Sequence, residues 1–269
     1  MSESAKPDGA ALTRNALRSL RDYTSARVAL GRAGTSIAAT DILDFQLAHA
    51  QARDAVHAEF HVEGFERRLK EELPSLKKFR VPVFRLKSAA LDREQYVRRP
   101  DLGRVLADES ASRLKSCPCD VVFIIADGLS AIAPERNAIP LLGAVLPRLL
   151  EAGWICGPIC AMEHARVAIG DQVGSLLGAS LSVVLIGERP GLSSHDSLGA
   201  YITWQPQPGR TDADRNCISN IRDGGLSHAE AADRLLWYLN EARTRRLSGT
   251  SLKEAKAVGQ NQFRRSEQS

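Results

Sequence analysis

The 269-residue sequence lacks the short signatures of the common catalytic folds. No GxGxxG follows a strand pattern and no GxxxxGK is present, which excludes a dinucleotide fingerprint and a P-loop. GxSxG, CxxC and HExxH are also missing, so a nucleophile elbow, a thioredoxin-type pair and a zincin site are not encoded. The five cysteines form no even framework; Cys117 and Cys119, like Cys156 and Cys160, miss the spacing of the common zinc sites. They read as cytosolic thiols, mostly buried as small apolar groups. No apolar run approaches the ~18 residues of a membrane span. The start, MSESAKPDGA, has no basic segment followed by an apolar one, so no secretory signal is expected.

Aromatic residues make up 5% of the chain and do not interleave with its basic pairs, which argues against a nucleic-acid surface. The formal charge of +4 is spread along the chain, and runs such as Arg67-Arg68 and Lys77-Lys78 read as solvated helix faces. Charged residues at 25% and hydrophobic ones at 43% fit a globular protein of ordinary composition.

What is present divides the chain into two long parts between tails at 1–11 and 253–269. In 12–110 the pattern is helical. Leu12, Ala16, Leu17 and Leu20 recur at helical spacing, and a longer helix is predicted to start at an N-cap near Thr40-Asp41. Its apolar stripe is Ile42, Phe45, Ala48, Ala52 and Val56. Phe65, Leu69 and Leu73 continue the period. This part reads either as a helical cap on the second part or as a clamp on a partner chain.

Residues 111–252 carry apolar strands alternating with helices. Strands are predicted at Val121–Ile125, Trp154–Cys160, Leu181–Ile186 and Tyr201–Trp204, with helices over Ile139–Leu150 and Asp171–Leu177. Wholly apolar strands alternating with helices argue for an α/β domain with a parallel sheet covered on both faces. Ser227-x-x-Glu230 is a capping box opening a last helix, with Ala232, Leu235, Leu239 and Ala242 on one face.

The stretch Arg210–Asn220, RTDADRNCISN, is unusually rich in hydrogen-bonding groups. Asp212-x-Asp214 has the form of a magnesium-binding pair, but it follows QPQPGR and not an apolar strand. Cys217 has arginines nearby to lower its pKa, but no histidine at a known spacing. A scaffolded loop in the wall of a polar pocket is the preferred reading. Such a pocket belongs beyond the carboxyl ends of the strands, near Asp127-Gly128 and Glu188-Arg189.

Four blocks then carry a family resemblance: ARVALGRAGTSIAATDILDFQLAHAQARDAVH at 26–57, VVFIIADGLSA at 121–131, IGERPGLSSHDSLGAYITW at 186–204, and GRTDADRNCISNIRDGGLSHAEAADRLLWYLNEARTRRLSG from Gly209. Together they resemble the small subunit of ethanolamine ammonia-lyase, over about Leu12 to Leu252. The resemblance implies for this chain a Rossmann-like parallel-sheet domain preceded by a helical N-terminal extension, and a partner large subunit, a (β/α)₈ barrel holding the substrate and the catalytic residues. It implies adenosylcobalamin at the interface, whose 5′-deoxyadenosyl radical starts conversion of ethanolamine to acetaldehyde and ammonia. It places cobalamin contacts on Val167 in ARVAIGD, Glu188 in IGERPG and Cys217 in DRNCISN, with no catalytic residue and no metal ligand on this chain. It further implies a cytoplasmic enzyme, with some members packaged in a bacterial microcompartment; Leu12–Leu20 could be a packaging segment or an ordinary docking helix. None of the six histidines lies in the D-x-H-x-x-G motif of corrinoid carriers. A free-standing α/β hydrolase and a corrinoid carrier module are the alternatives.

Overall fold

The computed structural model describes residues 18–24 and 26–253. The expected tail 1–11, nearly all of 253–269, and Leu12, Ala16 and Leu17 of the expected first helix lie outside the described residues. Leu20 sits in a short 3-10 turn, Arg18–Asp22.

A two-residue ladder, β1 (Arg32–Ala33) against β2 (Ser36–Ile37), leads into α1 (Ala39–His57). Helices α2 (Val62–Glu72) and α3 (Pro74–Lys78) precede β3 (Val83–Lys87). Helices α4 (Arg93–Arg98) and α5 (Asp108–Arg113) precede β4 (Cys119–Ala126). Then come α6 (Ile132–Glu151), β5 (Cys156–Glu163), α7 (Ile169–Leu177), β6 (Ala179–Gly187), β7 (Leu198–Trp204), β8 (Arg215–Ile221) and α8 (His228–Arg245).

The result is an α/β fold around one six-stranded sheet of order β3-β5-β4-β6-β7-β8. Its first four strands are parallel and Rossmann-like. The last two, β7 and β8, are antiparallel to their neighbours, so the sheet is mixed where the apolar pattern alone suggests a parallel one. The central strands are buried on both faces. Val121, Phe123 and Ile125 pack with α2, α6 and α8, whereas Val122, Ile124 and Ala126 pack with α7. This period of two is why the strand text reads as continuously apolar.

Element ends differ from the sequence reading in instructive ways. α6 starts at Ile132 and runs through Pro140 and Pro147. Each internal proline costs about 3 kcal/mol of helix propensity. Burial of Leu141, Leu142, Val145, Leu146 and Leu149 on one face outweighs that loss. α1 begins at Ala39, so Thr40 and Asp41 lie inside its first turn and are not the N-cap. Asp41 instead accepts hydrogen bonds from the Gly31 amide (2.8 Å) and Arg21 (3.0 Å), fixing the preceding loop. The capping box forms at Ser227 and Glu230, and Ala232, Leu235, Leu239 and Ala242 are buried as a stripe. Val83–Lys87, unmarked as a strand by its pattern, forms the sheet edge beside β5.

α1 is an exception to core-directed packing. Ala48 and Ala55 are buried, but Ile42, Leu43, Phe45 and Leu47 are all exposed, Leu43 by 62% and Leu47 by 60%.

Candidate functional site

Strand direction brings Val167 and Glu188 to one edge, with Cys217 on the outer strand β8 beyond it. β4 and β6 are parallel neighbours, paired through Ala126 and Ile186, and so end side by side. The loop carrying Val167 leaves the end of β5 on the same side. β7 runs back, so its start lies there too, and β8 returns to it: Tyr201 faces Cys217 and Leu198 faces Ile221. This is where an open α/β sheet places its ligands.

Here a cavity of about 450 Å³ opens, lined in part by Tyr96, Arg166, Val167, Glu188, Arg189 and Tyr201. Val167 and Glu188 thus share one cavity. Cys217 is not in its lining; it lies one strand further out, across Tyr201.

Glu188 is the first residue past β6. Its carboxylate accepts hydrogen bonds from the Ser197 hydroxyl and from the Asn220 amide at 3.1 Å. Those bonds tie the ends of β6, β7 and β8 together and fix the carboxylate at the cavity wall. Gly199 permits this: a Cβ there would meet Tyr201 Cε2 at 2.9 Å and Glu188 Oε1 at 3.1 Å.

The floor is set by Asp127 and Gly128 after β4. Buried Asp127 accepts from Arg93 Nη1 at 3.0 Å and from the Ala165 amide at 3.2 Å. Burial pushes its carboxyl pKa up, opposed by the Arg93 charge. Arg93 also donates to the carbonyl of Gly128 at 2.7 Å and of Val56 at 2.8 Å, joining α1 to the floor. Gly128 has φ +56°, and a Cβ there would collide with the Gly187 carbonyl, so the two strand-end loops cross where only glycine fits. The Tyr96 ring carries Arg93 on one contact (5.0 Å) and Arg166 on another (4.4 Å). Its hydroxyl donates to the Ala165 carbonyl at 3.0 Å, and burial raises its pKa, so it stays neutral.

The polar stretch 210–220 is largely scaffold. Asp214 accepts from the amide and hydroxyl of Thr211, both at 2.8 Å, closing a small capping box. Buried Arg215 grips Asp171 of α7 through two nitrogens, at 2.7 and 2.8 Å. Asn216 holds the carbonyls of Gly249 and Leu252 at 3.0 and 2.7 Å. Asp212 is fully exposed, and no group of three metal-ligating side chains forms among the described residues. Cys217 is exposed by area, yet its sulfur lies 3.2 Å from the Ser219 hydroxyl. Burial of the sulfur pushes the thiol pKa up, against the lowering influence of the Ser219 hydroxyl, which is the opposite of an activated nucleophile. The other thiols divide as well: Cys119 and Cys160 are buried, Cys156 is partly so, and Cys117 is exposed.

Sequence reasoning missed Tyr96, Arg166 and Tyr201 as cavity residues. Arg166 sits beside Val167 in ARVAIGD and Tyr201 lies within the 186–204 block that holds Glu188, and membership of those motifs was the one signal for them. Tyr96 had none, because α4 reaches the site only through the tertiary fold.

Residues 14–253 match the family model described as ethanolamine ammonia-lyase light chain (EutC). A protein of Azotobacter vinelandii named ethanolamine ammonia-lyase small subunit is 49% identical over 257 residues, 93% of each chain. A protein of the same name from Pseudomonas syringae pv. tomato is 50% identical over 241 residues, covering 87% of this chain and 82% of its own. One from Pseudomonas aeruginosa is 47% identical over 268 residues, 96% of this chain and 93% of its own. The chain therefore belongs to the ethanolamine ammonia-lyase light-chain family.

Proposed function

We propose that this chain is the small subunit of an ethanolamine ammonia-lyase and that its sheet edge forms one wall of an adenosylcobalamin site completed by the large subunit. The observation carrying the proposal is the convergence of Val167 and Glu188 on one cavity at the strand ends, with Cys217 one strand away.

The residues fit a corrinoid. A corrin ring carries peripheral amides, and its nucleotide loop carries ribose and phosphate, so both donors and acceptors must be met. Glu188 keeps acceptor capacity beyond its bonds to Ser197 and Asn220. Val167 and Ile186 offer apolar contact, and Arg189 and Arg166 offer donors. Cys217 supplies a small, uncharged edge. Bound adenosylcobalamin supplies radical chemistry by homolysis of its cobalt–carbon bond. This chain's residues bind and orient, and the wall they form excludes water from one side. A proton-transfer role on this chain has no support: Glu188 and Asp127 are both engaged in structural hydrogen bonds.

The exposed apolar face of α1 supports a partner, and we assign it to the large subunit. In this reading α1 supplies the docking surface and 111–252 most of the cofactor wall, with Tyr96 and β3 contributed by the N-terminal part. No helix among the described residues is long and apolar enough to cross a membrane.

Two experiments test the reading. Mixing the purified chain with its large subunit and adenosylcobalamin produces acetaldehyde from ethanolamine, while neither chain does so alone. Turnover by this chain alone would favour a free-standing enzyme. Electron paramagnetic resonance of cob(II)alamin bound to the complex, with ¹⁵N-labelled histidine, should show no coupling to a nitrogen of this chain, since none of its histidines lies in a D-x-H-x-x-G motif. Coupling would revive a carrier-type role and point first to His164, whose ring stands 6.0 Å from that of Tyr96.

A further inference from the structure

A second cavity, of about 460 Å³, adjoins the first and shares Arg166 and Val167 with it. Its walls bring four guanidinium groups together: Arg104, Arg166, Arg210 and Arg215. The one carboxylate in its lining, Asp212, is fully exposed and stays 3.8 Å from Arg215 Nε, outside hydrogen-bonding distance.

Two of these arginines leave a buried N–H without a partner. Arg215, whose side chain is only 3% exposed, spends Nη1 and Nη2 on Asp171, Thr203 and the Arg210 carbonyl, but its Nε has no acceptor. Arg166 Nε is buried and unpartnered too, and the Arg166 guanidinium forms no ion pair among the described residues. The Tyr96 face holds it in place at 4.4 Å. Buried guanidinium donors without acceptors are costly. An anion placed between them removes that cost, and a tetrahedral oxyanion suits the planar fork of arginine.

We infer that this arginine-lined compartment binds a phosphate group, namely the phosphodiester of the cobalamin nucleotide loop, with Arg166 as its principal donor. The inference rests on the cobalamin reading above. The corrin would lie against Val167 and Glu188 in the first cavity, and the phosphate would pass Arg166 into the second. Arg104 and Arg210 add charge at the rim, while Arg215 serves mainly to hold the sheet to α7.

The test is equilibrium binding to the complex of both subunits, followed by the corrinoid absorption spectrum. The ligands are cobalamin, cobinamide phosphate and cobinamide, the last having neither phosphate nor nucleotide. For the wild type, cobalamin and cobinamide phosphate bind more tightly than cobinamide. Arg166→Gln weakens the first two about tenfold or more, as loss of a charge-assisted bond requires, and weakens cobinamide by a clearly smaller factor. Arg104→Gln shows the same selectivity with a smaller loss. An unchanged melting temperature of the two-subunit complex is the control for folding. Equal weakening of all three ligands, or no weakening, overturns the inference while leaving the cobalamin reading intact. Failure of the wild-type complex to bind any corrinoid overturns that reading, and the inference with it. Thermal stabilisation by inorganic phosphate that disappears in Arg166→Gln, with corrinoid affinities unchanged, would assign the compartment to free phosphate and also overturn the inference.

Discussion

Arg215 and Asp171 form a bidentate ion pair, at 2.7 and 2.8 Å, with side chains only 3% and 4% exposed. The pair binds the edge strand β8 to α7 across 44 residues of sequence. Removing one partner leaves the other charge buried and alone, which costs about 3–5 kcal/mol. Asp171→Asn and Arg215→Met should each lower the urea midpoint sharply. The double variant should lose less than the sum of the two. Chemical denaturation of the isolated chain checks both statements.

Glu188→Ala should weaken cobalamin binding to the two-subunit complex by about 1.5–3 kcal/mol, the range for a hydrogen bond to a charged group. Cys217→Trp should weaken it through bulk at the cavity edge. Ethanolamine affinity should change far less in both variants. Parallel titrations with cofactor and substrate separate these effects, and wild-type cofactor affinity in both would show that neither residue touches cobalamin.

The amount of this legible in the sequence follows burial. β4 and β6 stood out because both faces are covered, so VVFIIA and LSVVLI read as unbroken apolar runs. The Ser227 capping box is local chemistry and was readable as such. The sequence reading starts α6 at Ile139, whereas the helix begins at Ile132, seven residues earlier, and tertiary burial of its apolar face is what carries it through its prolines. The antiparallel course of β7 and β8 depends on the connections, which no strand pattern encodes. At the site, Val167, Glu188 and Cys217 were approached through motif resemblance. The Arg93–Asp127 contact spans 34 residues, and the Tyr96 bond to Ala165 spans 69, so local text could not reveal them.

The capping box also sets a pH dependence. The Ser227 hydroxyl and amide hold the Glu230 pKa below its ordinary value. A depressed folded-state pKa stabilises above the unfolded value, about 4.3 for glutamate, and that stability is lost as pH falls through the lower folded value. Glu230→Ala should therefore lower the denaturation midpoint at pH 7. Its difference from wild type should shrink as the pH drops below about 4. A difference that is constant across this range would mean that the carboxylate charge does not matter.

Leu43 and Leu47 stand exposed on α1, by 62% and 60%. Leu43→Asp with Leu47→Asp should leave the melting temperature of the isolated chain nearly unchanged, since neither side chain is in the core. It should weaken assembly with the large subunit by at least tenfold, as loss of two buried leucines at about 1.5–3 kcal/mol each implies. Analytical ultracentrifugation of mixed subunits measures this. Unaltered assembly would place the docking surface elsewhere.

The central claim is that the strand-end edge of this chain is a wall of the cobalamin site. Hydrogen–deuterium exchange of the two-subunit complex, with and without cobalamin, tests it most directly. Protection on this chain should gather in the loop after β4 at Gly128-Leu129, the loop before α7 at Arg166-Val167, the loop after β6 at Glu188-Arg189, and β8 around Cys217. Unchanged exchange in all four segments, with protection confined to the large subunit, would contradict it.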